Sequence, residues 1–446
     1  MLLGIVAVTL AAGTPNEARW RLLGLIGACW AAFVLAVVAV RRAPVRLAVP
    51  IVVVGAIALQ GLAIGTPPRS TDDFYRYAWD GRVQAAGFDP YRYAPVDPAL
   101  AGLRDSWLFP AECQDRARVC TRMNHPTSPT IYPPVAQLAF LAQHVLTAPL
   151  GPDGGGALSL QVAAALLALA TTAALLLVLR RHGDPRNAVL WAWCPLVVLE
   201  AGNNAHVDVL AALFVVLAMG AAAAGRPARA GLAVGAAIAT KILPRLVLPA
   251  LLAPLDRRRH AVRLLVAAGA VLIAGYLPHL LVLGGRALGF LPGYLAEEGY
   301  DGRARFALLR PVLPDQVAAV VGVAILVGTA FVVARRTDPT RPWTGAVVMV
   351  GVAFALGGVT YPWYPILLVT LVALDGRAEW LAVAAASYPG YFSSALGLPF
   401  GSTQRVGYGL ALAVVLAARL LRRRRAAGVS GRREPVPETS GPPARR

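Results

Sequence analysis

Two adjacent carboxylates, Asp72 and Asp73, open the longest polar stretch of this sequence, with Tyr75, Arg76, Trp79 and Asp80 close behind. Paired acids beside an apolar run suit a general base, because like charge and partial desolvation push one pKa upward. The same pair would also serve as a helix N-cap or as solvated surface charge. Lys241 and Arg245 stand four apart, on one face if the segment is helical. Together they would hold a phosphate ester, or simply snorkel to an interface. His206 and Asp208 lie in the run Glu200-Ala-Gly-Asn-Asn-Ala-His-Val-Asp, suited to a metal or to a sugar hydroxyl. No second His stands at ligand spacing nearby, so no metal site is expected. His125, before Pro126, is equally open in role. Trp363, flanked by Tyr361 and Tyr364, would stack on a sugar ring or anchor at a membrane interface.

These residues need a scaffold, and the apolar sequence around them supplies one. Apolar segments fall at 20–40, 46–65, 157–179, 188–200, 204–225, 229–240, 243–255, 263–283, 316–334, 342–358, 361–374, 380–396 and 406–421. Many are long enough to cross a hydrocarbon core of roughly 30 Å. Residues 1–13 are short for a span and read as a span, a truncated start or a signal-like anchor. The expected fold is therefore all-α, a polytopic bundle of about 12–14 spans. Residues 1–425 form the membrane domain, and 426–446, rich in Arg, Pro, Gly and Ser, form a disordered cytoplasmic tail.

Arginine placement orients the bundle. Clusters occur at Arg41-Arg42-Arg46, Arg180-Arg181-Arg186, Arg226-Arg229, Arg257-Arg258-Arg259 and Arg335-Arg336-Arg341, around Arg377, and at Arg422 to Arg425. The positive-inside rule places these turns in the cytoplasm. The opposite tips then lie outside: a long catalytic loop at 66–133, the Glu200–Asp208 run, the Lys241 turn, a second outer loop at 284–315 carrying Glu297, Glu298, Tyr300, Asp301 and Arg303, and the Thr360–Tyr364 run. Counting crossings makes 134–150 a re-entrant or surface-lying helix, and several short arms fit half-length helices around an enclosed cavity. Ionisable residues converging on one membrane face mark a functional site. Of four cysteines, Cys29 and Cys194 sit in apolar runs as packing residues. Cys113 and Cys120, in the first outer loop, form a disulfide or remain two free thiols.

Composition closes off other classes. The chain is 57% hydrophobic and 15% charged, too apolar for a soluble surface of this length. Its net charge of +19 resides in loop arginines with no interleaved aromatics, so no nucleic-acid partner is expected. No Walker motif, nucleophile elbow, Cys-x-x-Cys pair or dinucleotide fingerprint is present, and no cofactor is expected. What remains is a lipid-linked, phosphate-bearing substrate reached from the bilayer and handled on the outer face.

The run Thr71-Asp-Asp-Phe-Tyr-Arg-Tyr-Ala-Trp-Asp-Gly-Arg through Pro95 resembles the first outer loop of bacterial polyprenol-phosphate-sugar-dependent glycosyltransferases of the glycosyltransferase C superfamily. The likeness is greatest to actinobacterial mannosyltransferases of the cell envelope. Asn124-His-Pro, Thr130-Ile-Tyr-Pro-Pro134, Asn203-Asn-Ala-His-Val-Asp208, Thr240-Lys-Ile-Leu-Pro244 and Tyr361-Pro-Trp-Tyr364 are similar to further family motifs, in order, across most of 20–375. The resemblance implies a multi-pass cell-membrane enzyme with an extracytoplasmic site. It would move a sugar, mannose by likeness, with inversion from a polyprenyl-phosphate donor to a glycolipid or glycan acceptor among membrane lipids. Asp72, or Asp73 behind it, would be the base, and Lys241 and Arg245 would hold the donor phosphate. Tyr75, Arg76, His125, Tyr132, Asn203, His206, Asp208 and Trp363 would contact sugar or acceptor. A flippase or transporter would show internal repeats and midplane charges, which are not found. A polymer ligase acting on a lipid-linked glycan would use the same face and groups.

Overall fold

The computed structural model describes residues 1–12, 15–68, 70–112, 119–151, 153–253, 257–297 and 306–430. Helices account for all the regular structure among them, with no strand. Without water to satisfy backbone groups, Ala/Leu/Val runs in lipid must close their hydrogen bonds within the segment. Six helices are long and apolar enough to cross a membrane: Arg19–Arg42, Val45–Ile64, Gly156–His182, Arg258–Tyr294, Asp315–Arg336 and Phe400–Arg425. A seventh crossing results if Val197–Asn203 and Asp208–Ala223, bent by 117°, count as one. The chain is an all-α, multi-pass membrane protein.

Beside these six, several of the about 12–14 expected spans are short helices. Pro227–Ile238, Trp343–Gly357 and Ile366–Asp375 are helices of 12, 15 and 10 residues, about 15–23 Å long and short of the ~30 Å core. Gly358 and Gly376 close the last two in left-handed geometry, and Pro244 and Pro249 lie in the two short turns that replace a span over 243–255. Placement makes the short arms tolerable. Ile366 to Leu374 is buried without interruption, whereas only 6% of the apolar window in Arg258–Tyr294 is buried. The short helix Ile366–Asp375 thus lies in the protein interior, while Arg258–Tyr294 faces lipid.

The arginine turns knit together one end of the bundle. Arg41 donates to Asn187 Oδ1 at 2.7 Å and to the Gly376 carbonyl at 2.8 Å. Arg186 donates to the Arg41 carbonyl at 2.8 Å, and Arg377 to the Thr344 carbonyl at 2.7 Å. Arg422 pairs with Glu379 at 2.6 Å. The 20-residue helix Val45–Ile64 separates this end from the polar tips by about 30 Å. At the far end Asn203 donates to the Ala63, Thr66 and Pro67 carbonyls at 3.0–3.2 Å, and Gln161 to those of Thr66 and Asn203 at 2.7–2.8 Å.

The first loop folds on itself. Asp73–Ala85 packs against Pro134–Thr147, and a Cβ at Gly81 would lie 2.3 Å from the Phe140 carbonyl, so only glycine allows the contact. At 14 residues, or about 21 Å, Pro134–Thr147 is too short to cross. Trp79, Val83, Leu100, Leu108 and Met123 give the loop a small core of its own. The N-terminal segment folds as a short helix, Leu2–Ala11, packed on its neighbours. Cys29 and Cys194 are free and buried. Cys120 is disulfide-bonded, and Cys113 lies outside the described residues. So do Glu298, Tyr300, Asp301 and Arg303 of the second outer loop. The last helix runs to Ser430, and 431–446 lie outside the described residues.

Candidate active site

At the end opposite the arginine turns, the tips enclose a cavity of about 760 Å³. Asp72 and Asp73 line it at the start of the Asp73–Ala85 helix. Asp72 occupies the N-cap position, but its side chain caps nothing. The Asp73 amide instead bonds Thr71 Oγ1 at 3.1 Å. Both carboxylates accept from one amide: Asn124 Nδ2 lies 2.8 Å from Asp72 Oδ1 and 2.8 Å from Asp73 Oδ1. A side chain about fifty residues downstream therefore fixes the spacing of the two acids. Desolvation by the surrounding protein, then the Asp73 charge, raises the Asp72 pKa above the usual aspartate value, and the Asn124 bond opposes both.

Two cations line the same cavity, each backed by a buried carboxylate. Arg76, one turn beyond the acids, donates Nε to Asp80 Oδ1 at 2.8 Å and Nη2 to the Ser128 carbonyl at 3.1 Å. Asp80 is held in turn by Thr130 Oγ1 at 2.6 Å and Gln137 Nε2 at 2.8 Å. Lys241 Nζ lies 3.2 Å from Asp208 Oδ2 and 5.1 and 5.6 Å from the ring centroids of Tyr132 and Tyr364. Such backing fixes where each cation points without leaving its charge uncompensated in the protein.

The remaining wall is aromatic. Trp363 stacks on Tyr361 at 4.7 Å and on His206 at 4.0 Å. His206, fully buried behind it, places Nδ1 3.7 Å from Asp73 Oδ2 and Nε2 3.7 Å from Glu200 Oε2. Glu200 and Asn203 belong to a π-helical turn, Val197–Asn203, a distortion frequent at functional sites. Next to the cavity an apolar pocket of about 240 Å³ is lined by Ile131, Ile238, Leu243, Leu272, Leu288 and Leu291. It shares Ile131, Tyr132, Lys241, Tyr294 and Tyr364 with the main cavity.

The structure thus brings Asp72, Asp73, Arg76, His125, Tyr132, Lys241 and Trp363 to one cavity. His125 is exposed at its rim, with Nε2 3.8 Å from Glu297 Oε2. His206 and Asp208 stand directly behind lining residues, and Asn203 is spent on backbone carbonyls. Two candidates lie elsewhere. Arg245 is exposed on the 3₁₀ turn Leu243–Val247 and does not line the cavity. Lys241 lies just before that turn, so no shared α-helical face joins the two. Tyr75 points away toward Trp107, at 5.4 Å. Asn124, Tyr391 and Phe392 line the cavity without having been singled out as site residues. The pairing of Asn124 with two acids had no local sequence signal. Among the described residues no group of three or more His, Cys, Asp or Glu is arranged to hold a metal ion.

Comparison with known proteins fits this arrangement. The model of Glycosyltransferase family 87 matches residues 130–357, just over half of the chain. No match is found among curated proteins or among solved structures. The matched stretch contains Tyr132, Lys241 and almost all of the apolar pocket. With its acid-lined cavity inside an all-α membrane bundle, the chain belongs to glycosyltransferase family 87, membrane glycosyltransferases of the C type.

Proposed function

We propose that the protein transfers a hexosyl residue, mannose being the sugar the sequence resemblance favours, from a polyprenyl-phosphate donor to a glycolipid or glycan acceptor on the extracytoplasmic face. The observation that carries this reading is the position of Lys241. It sits where the apolar pocket meets the acid-lined cavity, the place an amphiphile would put its phosphate. The prenyl chain would occupy the apolar side, bordered by the lipid-facing helix that carries Leu272 and Tyr276. Lys241 and Arg76 would flank the phosphate, Arg76 taking the part that its spacing from Lys241 suggested for Arg245.

In the reaction Asp72 accepts the proton of an acceptor hydroxyl, whose oxygen bonds to the anomeric carbon from the face opposite the phosphate. The carbon–oxygen bond to phosphate breaks, the electron pair leaves with the phosphate, and the configuration inverts. Preorganised cations stabilise the charge that develops there, and the base contributes about 10²–10⁴-fold. Asp72 is the better base of the two because it opens to the cavity and its pKa is raised. The arginine turns at the opposite end support the extracytoplasmic reading.

The test is transfer of radiolabel from defined polyprenyl-phosphate sugars by purified protein in proteoliposomes. Label should move from polyprenyl-phosphate mannose to a glycolipid acceptor. Transfer from a nucleotide sugar, or of an intact lipid-linked glycan in place of one residue, would overturn the donor assignment.

A further inference from the structure

We infer that the end of the cavity walled by the helix Ser387–Leu396 is an acceptor subsite that stacks a neutral carbohydrate ring; this rests on the glycosyl-transfer reading above. At about 760 Å³ the cavity lies toward the upper end of the ~300–1,000 Å³ that holds a drug-sized ligand. A single sugar phosphate leaves part of it unfilled. Its two ends differ in chemistry. Lys241, Tyr132, Tyr294 and Tyr364 are shared with the apolar pocket, which makes that end the donor's. Ser70, Tyr391, Phe392, Ser394 and Ala395 line only the main cavity, and all five are uncharged; Arg19, which approaches this end, donates to the Ala395 carbonyl.

The acids separate the two ends. Asp73 faces His206, behind which Asp208 pairs with Lys241. Asp72 directly follows Ser70 and Thr71, and the Tyr391 hydroxyl donates to the Ser70 carbonyl. That bond ties the Tyr391 ring to the segment that presents the base. The ring lies 5.8 Å from Trp363, 6.1 Å from Tyr361 and 5.4 Å from Phe392, making a continuous aromatic wall. Aromatic faces take the C–H side of a sugar ring, while the Ser70 and Ser394 hydroxyls can bond its hydroxyl groups. An acceptor ring held there would lie beside Asp72. The donor end lies almost wholly within the family-matched stretch 130–357, and this end wholly outside it.

The test uses octyl α-mannoside as the acceptor probe and varies donor and acceptor separately. Tyr391→Leu removes the ring, and Tyr391→Phe removes only the hydroxyl that bonds Ser70. Ser394→Trp fills the subsite from an exposed position without opening the core. Tyr391→Leu and Ser394→Trp should raise the acceptor KM about tenfold while the donor KM stays within about twofold, the scale of one aromatic contact. Tyr391→Phe keeps the ring and loses only the tie to Ser70, so its acceptor KM should rise less than that of Tyr391→Leu. Unchanged acceptor KM in both variants, or an equal rise in donor KM, overturns the subsite. Equilibrium binding of octyl mannoside without donor separates this from the transfer reading. Binding that Tyr391→Leu abolishes, in a protein that transfers from no lipid-phosphate sugar, sustains the subsite and refutes the donor. No binding and no transfer refutes both.

Discussion

Lys241 has two possible employments, and they separate cleanly by experiment. Its ammonium lies 3.2 Å from Asp208, with the two side chains 14% and 7% exposed. Lys241→Met would leave Asp208 as a buried, unpaired carboxylate, a loss of about 3–5 kcal/mol for a buried pair. Lys241 lines the cavity and is not fully buried, so the lower end of that range applies. Lys241 should also contribute to turnover, because a charged hydrogen bond to the donor phosphate is worth about 1.5–3 kcal/mol, or about 10- to 150-fold in kcat/KM. The double variant Lys241→Met, Asp208→Asn removes both charges. It should recover most of the stability while turnover stays low. Thermal unfolding in detergent and steady-state kinetics at limiting donor, read on the same preparations, provide the two numbers. If the double variant regains turnover along with stability, Lys241 serves only to neutralise Asp208, and its role at the phosphate is refuted.

Other expectations are simpler to state. Arg245→Ala should leave donor kinetics unchanged, since Arg245 is exposed and does not line the cavity; a loss as large as that of Lys241→Met would restore it to the site. Asn124→Ala removes the bond that lowers the Asp72 pKa, so that pKa rises further. The base must be ionised to act, so the acid limb of the kcat/KM profile should move to higher pH and the defect should fade on the alkaline side. A defect uniform across pH would mean that Asn124 only holds the loop. For orientation, cysteines at Ala101 and Gly183, both exposed, should label oppositely with an impermeant reagent, Ala101 from outside; equal labelling contradicts the assigned sidedness.

The bundle was legible because lipid imposes a blunt code of long apolar runs and basic turns. Span number was not, since runs such as 361–374 are apolar enough to cross yet are enclosed by protein. Hydropathy registers an apolar surrounding and cannot tell lipid from other helices. Within the site, helical spacing served where the backbone is helical. Asp73, Arg76 and Asp80 share a face of Asp73–Ala85, and two of the three line the cavity. Tyr75, two residues past Asp73, turns to the other side by the same 100° step. Spacing misled at Lys241 and Arg245, where a 3₁₀ turn around Pro244 replaces the α-helix. Asn124 meets the acids only through loop folding, which no local pattern records.

The central claim is that an acid of this pair removes the acceptor proton. Asp72→Asn keeps the size and hydrogen-bonding capacity of the side chain but cannot take up a proton at neutral pH. With polyprenyl-phosphate mannose as donor, its turnover should fall at least about a hundredfold with donor binding retained. Asp73→Asn should be milder, because Asp73 shares Asn124 with Asp72 and faces His206. An inactive Asp73→Asn beside a fully active Asp72→Asn would move the base by one residue and leave the mechanism standing. Normal turnover in both single variants and in the double variant would contradict it.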